Sequence, residues 1–133
     1  MGLIVIDSII NDLKSKDSRV RNTAAIKLMD IGDPSAVVPL FEAILNPENV
    51  NHRGTLVYAL GVFDCSAHLS ILVDLVLSGN FEVSAGAIDI IDEIPLTEKQ
   101  IIEIQKILVD YDRSKFEYDH NVKGFEELVD LVQ

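Results

Sequence analysis

Residues 20–45 read VRNTAAIKLMDIGDPSAVVPLFEAIL, and the order of residue types in this stretch decides the fold. Asp17, three positions earlier, is a suitable helix N-cap: its carboxylate can accept from the first free amides. The helix it opens carries Val20, Ala24, Leu28 and Ile31, spaced near four and three, which puts them on one face. Gly32 can take the left-handed backbone that ends a helix. Asp33 is placed to cap a second helix, and Pro34 fits the first turn, where its missing amide hydrogen is not needed. That helix is expected to bury Val37, Leu40, Phe41, Ile44 and Leu45. The stretch therefore predicts two antiparallel helices joined by a tight turn.

Moving 32 residues along the chain brings the pattern back. Arg21 falls on Arg53, Leu28 on Leu60, Ile31 on Phe63, Val37 on Leu69 and Leu40 on Leu72. Glu42 falls on Asp74, and Ile44-Leu45 on Val76-Leu77. A third copy runs through Phe81–Leu108. Its first helix presents Val83, Ala87, Ile91 and Ile94, and Thr97 and Gln100 form a Thr-x-x-Gln capping box before its second. Ser84 stands where an arginine stands in the other two copies. A helix pair that recurs about every 30 residues predicts an all-α fold, an α-α superhelix of about three pairs. Terminal pairs cannot leave apolar faces open, so a capping helix is expected at each end. Leu3, Ile6, Ile9, Ile10 and Leu13 make one such helix; Val122, Phe125, Leu128, Val129 and Val132 make the other. The expected organisation is one domain, 1–133, with a cap at 1–16, pairs at 17–46, 50–79 and 81–110, and a cap at 114–133. The polar stretch Tyr111–His120 is expected to be a loop or a poorly formed turn.

Residues 17–45, D-x-x-V-R-x-x-A-A-x-x-L-x-x-I-G-D-P-x-A-V-x-x-L, resemble a HEAT repeat of the short type also found in phycobilisome lyases. The resemblance implies a HEAT-like solenoid. It also implies a structural role for Arg21 and Arg53, a guanidinium tie to the turn or carboxylate of a neighbouring repeat, with Gly32, Asp33 and Pro34 shaping the turn.

The 133 residues are 48% hydrophobic but contain no Trp and few aromatics, so the core must be aliphatic. No segment approaches the roughly 18 consecutive apolar residues of a membrane span. The N-terminus lacks the basic region of a signal peptide and the Ser or Thr of a myristoylation motif. Cys65 is the single cysteine, which excludes an internal disulfide framework. These features predict a cytoplasmic protein. The formal charge of −11 argues against nucleic acid and would steer a basic partner inward. Its distribution is uneven: residues 1–53 hold seven acids and six bases, whereas residues 54–133 hold fifteen acids and five bases. No Lys or Arg occurs between Arg53 and Lys99.

Residues suited to chemistry are scattered. His52, His68 and His120 show no paired spacing, and no cysteine pair offers a zinc site. Cys65 and His68 lie three apart at a helix start with no third group to orient them. No phosphate-binding glycine loop or nucleophile elbow occurs, and Asp89, Asp92 and Glu93 lack calcium-loop spacing. The sequence thus predicts no catalytic residue, metal or cofactor.

A binding face is the better candidate. Glu42 and Asp74 occupy equivalent places on successive second helices. Glu82, Asp89 and Glu93 fall at i, i+7 and i+11, with Asp92 beside them and no lysine at i+4 to compensate. The expected function is non-enzymatic binding of a basic protein by this acidic face, with Tyr111 among the candidate contacts and Tyr58, Phe116 and Tyr118 as further aromatic anchors. In size and charge the chain resembles small bacterial immunity proteins, some of them HEAT-like, which implies occlusion of a basic toxin such as a nuclease. The alternatives are a HEAT-like scaffold or adaptor in a larger assembly, or a phycobilin-lyase-like subunit.

Overall fold

The structure is a computed structural model that describes residues 3–133; the side chains of Leu3 and Ile4, and with them Leu3 as a capping-helix contact, lie outside the described residues. Eight α-helices occur among them, and no strand: α1 (Leu3–Asp12), α2 (Ser18–Ile31), α3 (Val37–Leu45), α4 (Gly54–Leu60), α5 (Leu69–Ser78), α6 (Phe81–Asp92), α7 (Glu98–Asp110) and α8 (Asp119–Leu131). Short 3-10 turns lie at Pro34–Ala36, Pro47–Asn49, Ser66–His68 and Arg113–Lys115. The chain divides into two compact units, the first ending at Asp64 and the second running Cys65–Gln133.

Local chemistry sets the helix ends. The Asp17 carboxylate accepts from the Arg19 amide at 2.9 Å and opens α2. Gly32 closes it with φ +72°, the one positive φ among the described residues, and its amide donates to the Leu28 carbonyl at 2.9 Å. A side chain there would cost about 1 kcal/mol or more. Asp33 accepts from the Ser35 amide at 2.9 Å, so the cap opens the 3-10 turn Pro34–Ala36, which then feeds α3. Thr97 and Gln100 form the full reciprocal capping box of α7.

In the first unit α2 packs on α1 and α4, and α4 packs on α3. Ala24, Ala25, Leu28, Leu40, Phe41, Ile44, Leu56, Val57 and Leu60 are buried there. Val20, Ile31 and Leu45 were expected in the core but are exposed, at 37%, 45% and 54%. Each lies at the rim of its apolar face, and periodicity gives a face its direction without saying how wide its neighbour is. Tyr58 is likewise outside, 65% exposed.

In the second unit α5 is the hub, packed by α6, α7 and α8. It buries Leu69, Leu72, Val73, Leu75, Val76 and Leu77 within ten residues. At roughly 1.5–3 kcal/mol for each large apolar side chain, this is the strongest anchorage in the unit. By contrast, α7 buries only Ile104 and Leu108. Its position is held further by Gln100, donating to the Ser66 carbonyl at 3.2 Å, and Gln105, donating to the Val132 carbonyl at 2.7 Å. At the C-terminal helix Phe125, Leu128 and Val132 are buried, while Val122 is 38% exposed, on the solvent side of the face expected to cover it. Gly124 lets α8 approach α5 closely: a Cβ there would stand 2.6 Å from Val76 Cγ1.

Candidate functional site

The predicted acids are all exposed. Glu42 lies on α3, Asp74 on α5, Glu82, Asp89 and Asp92 on α6, and Glu93 at the C-cap of α6. On α6 the opposite face carries the buried residues Val83, Ser84, Ala87, Ile90 and Ile91. That amphipathic division sets the carboxylates toward solvent. Among the described residues no lysine or arginine forms an ion pair with any of the four on α6, whereas at Asp17 a carboxylate is bridged to Arg19 at 3.4 Å.

The arrangement is electrostatically unfavourable for the free helix. Asp89 repels Asp92 at i+3 and Glu93 at i+4, by a few tenths of a kcal/mol each. Asp92 and Glu93 also sit at the negative end of the helix dipole, and no basic residue occupies the last turn. Glu42 has a different setting. It lines a cleft of about 180 Å³ with Ile10, Leu13, Lys14, Pro39, Ala43 and Asn46, so a lysine shares its surroundings.

Tyr111 is half-buried at the end of α7. Its hydroxyl donates to the Leu77 carbonyl at 3.4 Å, and its ring lies 5.2 Å from Phe116. Phe116 in turn meets Phe125 edge-on at 5.7 Å, and Arg113 covers the Phe125 ring at 4.5 Å. Burial first, then the nearby carboxylates of Asp74 and Asp112, push the Tyr111 phenol above its usual pKa. Tyr111 and Phe116 therefore support the α7–α8 connection from within.

The arginine tie has a local partner. Arg21 is 3% exposed and its Nη1 donates to the Ser15 carbonyl at 2.8 Å, in the turn before its own helix. The guanidinium thus ties its helix to a backbone carbonyl of the α1–α2 connection. Arg53 is half-buried at the N-cap of α4. Ser84, at the corresponding place in the third copy, is buried and donates to the Val76 carbonyl at 2.7 Å.

Sequence reasoning missed the cluster that includes this contact. The last carbonyls of α5 lack intrahelical donors. Ser84 and Asn121 both donate to Val76, Tyr111 to Leu77, and Asn121 and His120 Nε2 to Gly79, at 3.0 and 2.9 Å. Asn121 is fully buried, and its two bonds span 45 and 42 residues. Nothing in a local pattern marks such distant partners. His120 also joins two exposed rings: Tyr118 stacks on it at 5.0 Å, and Phe81 meets it edge-on at 5.7 Å.

Cys65 is fully buried, and His52 is exposed in the first unit, whereas His68 and His120 belong to the second. Among the described residues no group of three or more His, Cys, Asp or Glu is arranged to hold a metal ion, and no helix is long and apolar enough to cross a membrane. No protein-family model, curated protein or solved structure matches the chain.

Proposed function

We propose that the chain is a non-enzymatic binding module of HEAT-like helix pairs, and that the outer face of α6 receives a basic protein. The observation that carries this reading is the group Glu82, Asp89, Asp92 and Glu93: four exposed carboxylates on one helix, none with an ion-pair partner among the described residues. Two of them stand at the end of the helix where negative charge costs most. An electrostatic cost in the free chain that a cationic partner would relieve is what a steering surface requires.

The most specific form is an immunity protein that occludes a basic toxin such as a nuclease. A toxin must be intercepted before it acts, and long-range attraction raises the association rate more than it raises affinity. Capture from a host lysate, with the wild-type chain and an Asp89→Lys/Asp92→Lys/Glu93→Lys variant as parallel baits, tests the reading. A basic protein retained by the first and lost from the second is the expected result. Equal recovery on both baits, or no basic protein on either, would remove α6 from the account.

A further inference from the structure

On the basic-partner reading, we infer that Phe81, Tyr118 and His120 form an anchoring platform for an arginine side chain of that partner. Phe81 opens α6 and is 69% exposed; Tyr118 precedes α8 and is 50% exposed. Large aromatic rings so open to water, brought together from two different helices, are a poor use of apolar surface unless something covers them. Between them His120 is held in place. Its Nε2 hydrogen-bonds to the Gly79 carbonyl at 2.9 Å, Tyr118 lies parallel to its ring at an interplanar angle of 14°, and Phe81 stands edge-on at 89°. The platform is therefore ordered before any partner arrives, which lowers the entropic cost of binding.

Charge selects the occupant. Glu82 adjoins Phe81, Glu117 and Asp119 flank Tyr118, and all three are exposed. The nearest exposed lysines in sequence are Lys115, three residues before Tyr118, and Lys123, one turn beyond Asp119, so the three acids outnumber them. Glu82 and Asp119 also lie in the first turns of α6 and α8, where they offset the positive helix ends that would repel a cation. A guanidinium matches this surface on both counts: its plane stacks on aromatic faces, and its fork of donors reaches carboxylates. An ammonium matches only the charge. Tyr118 and Phe81 thus take the anchoring role that Tyr111 and Phe116, engaged within the unit, cannot take.

The probe is a capped arginine hexapeptide, with a lysine hexapeptide beside it, titrated at low salt into the labelled protein and followed by NMR. The arginine peptide is expected to shift the ring resonances of Phe81, Tyr118 and His120 and to bind more tightly than the lysine peptide. Phe81→Ala and Tyr118→Ala should each weaken it about two- to five-fold, the range of an exposed cation–π contact. Both rings are largely exposed, so the variants should keep the wild-type fold, read from the backbone spectrum. Binding that shifts only α6 from Asp89 to Glu93, and is unchanged in both variants, overturns the platform while leaving the acidic face standing. No binding by either peptide overturns both.

Discussion

The C-terminal ends of α3 and α5 start from the same sequence register and finish differently. Leu45 and Leu77 are separated by the 32-residue shift that aligns the two helices, yet Leu45 is 54% exposed and Leu77 is 1% exposed. The end of α3 is closed from within its own neighbourhood: Asn49, six residues on, donates to the Ala43 carbonyl at 2.9 Å. The end of α5 is closed by Ser84 of α6, Tyr111 after α7, and His120 and Asn121 of α8. A repeated pattern therefore fixes the helix and its apolar face, whereas later segments of the chain decide whether its last turn is covered.

Truncation should expose that difference most strongly. Leu77→Ala should destabilise the protein by about 3 kcal/mol, as a cavity in a closed core does. Leu45→Ala should cost less than about 1 kcal/mol. Urea denaturation measures both, and equal losses would break the contrast. Next come the two buried amides. Asn121→Ala leaves two carbonyls, of Val76 and Gly79, without that donor and should cost about 2 kcal/mol, against about 1 kcal/mol for Asn49→Ala. The comparison fails if Asn49 proves the more costly site in the same denaturation series.

A smaller effect of opposite sign is expected on α6. Asp92→Asn and Glu93→Gln each remove a charge from the unfavourable end of the helix and should stabilise the chain by about 0.3 kcal/mol. A fall in the thermal midpoint would mean that these acids serve the fold. The smallest effect concerns acid. Asp17 is held below the usual carboxylate range first by the Arg19 amide, Asp33 first by the Ser35 amide, and Asp112 first by the Ser114 hydroxyl. A depressed folded pKa gives stability that is complete above the unfolded value, near about 4, and is lost as pH falls through the folded one. Replacing the three by Asn should flatten the acid limb below about pH 4 in a pH-jump melt, and an unchanged limb would assign it elsewhere.

What the sequence made legible follows the range of the interactions. Asp17, Gly32, Thr97 and Gln100 act within four residues of themselves, so their roles can be read directly, whereas Asp33 caps a 3-10 turn ahead of the α-helix it was expected to open. The buried faces of α3, α5 and α6 follow from spacing, but their edges do not: Val20, Ile31, Leu45 and Val122 depend on how far a neighbouring element reaches. Asn121, His120 and Gly124 act on partners more than forty residues away, and their types alone announce nothing. On the candidate surface the exposure of the α6 acids was legible from helical spacing. The exposed pair Phe81 and Tyr118 was not legible as a pair, because only the fold brings their helices together around His120.

The proposed binding of a basic protein is tested most directly by the rate at which a basic protein captured on the wild-type bait associates with the chain. The Asp89→Lys/Asp92→Lys/Glu93→Lys variant should associate at least about ten-fold more slowly than wild type at low salt, with the gap closing toward 0.5 M salt as screening removes the attraction (about a 10 Å reach at 0.1 M). Identical association rates across that salt range would contradict it.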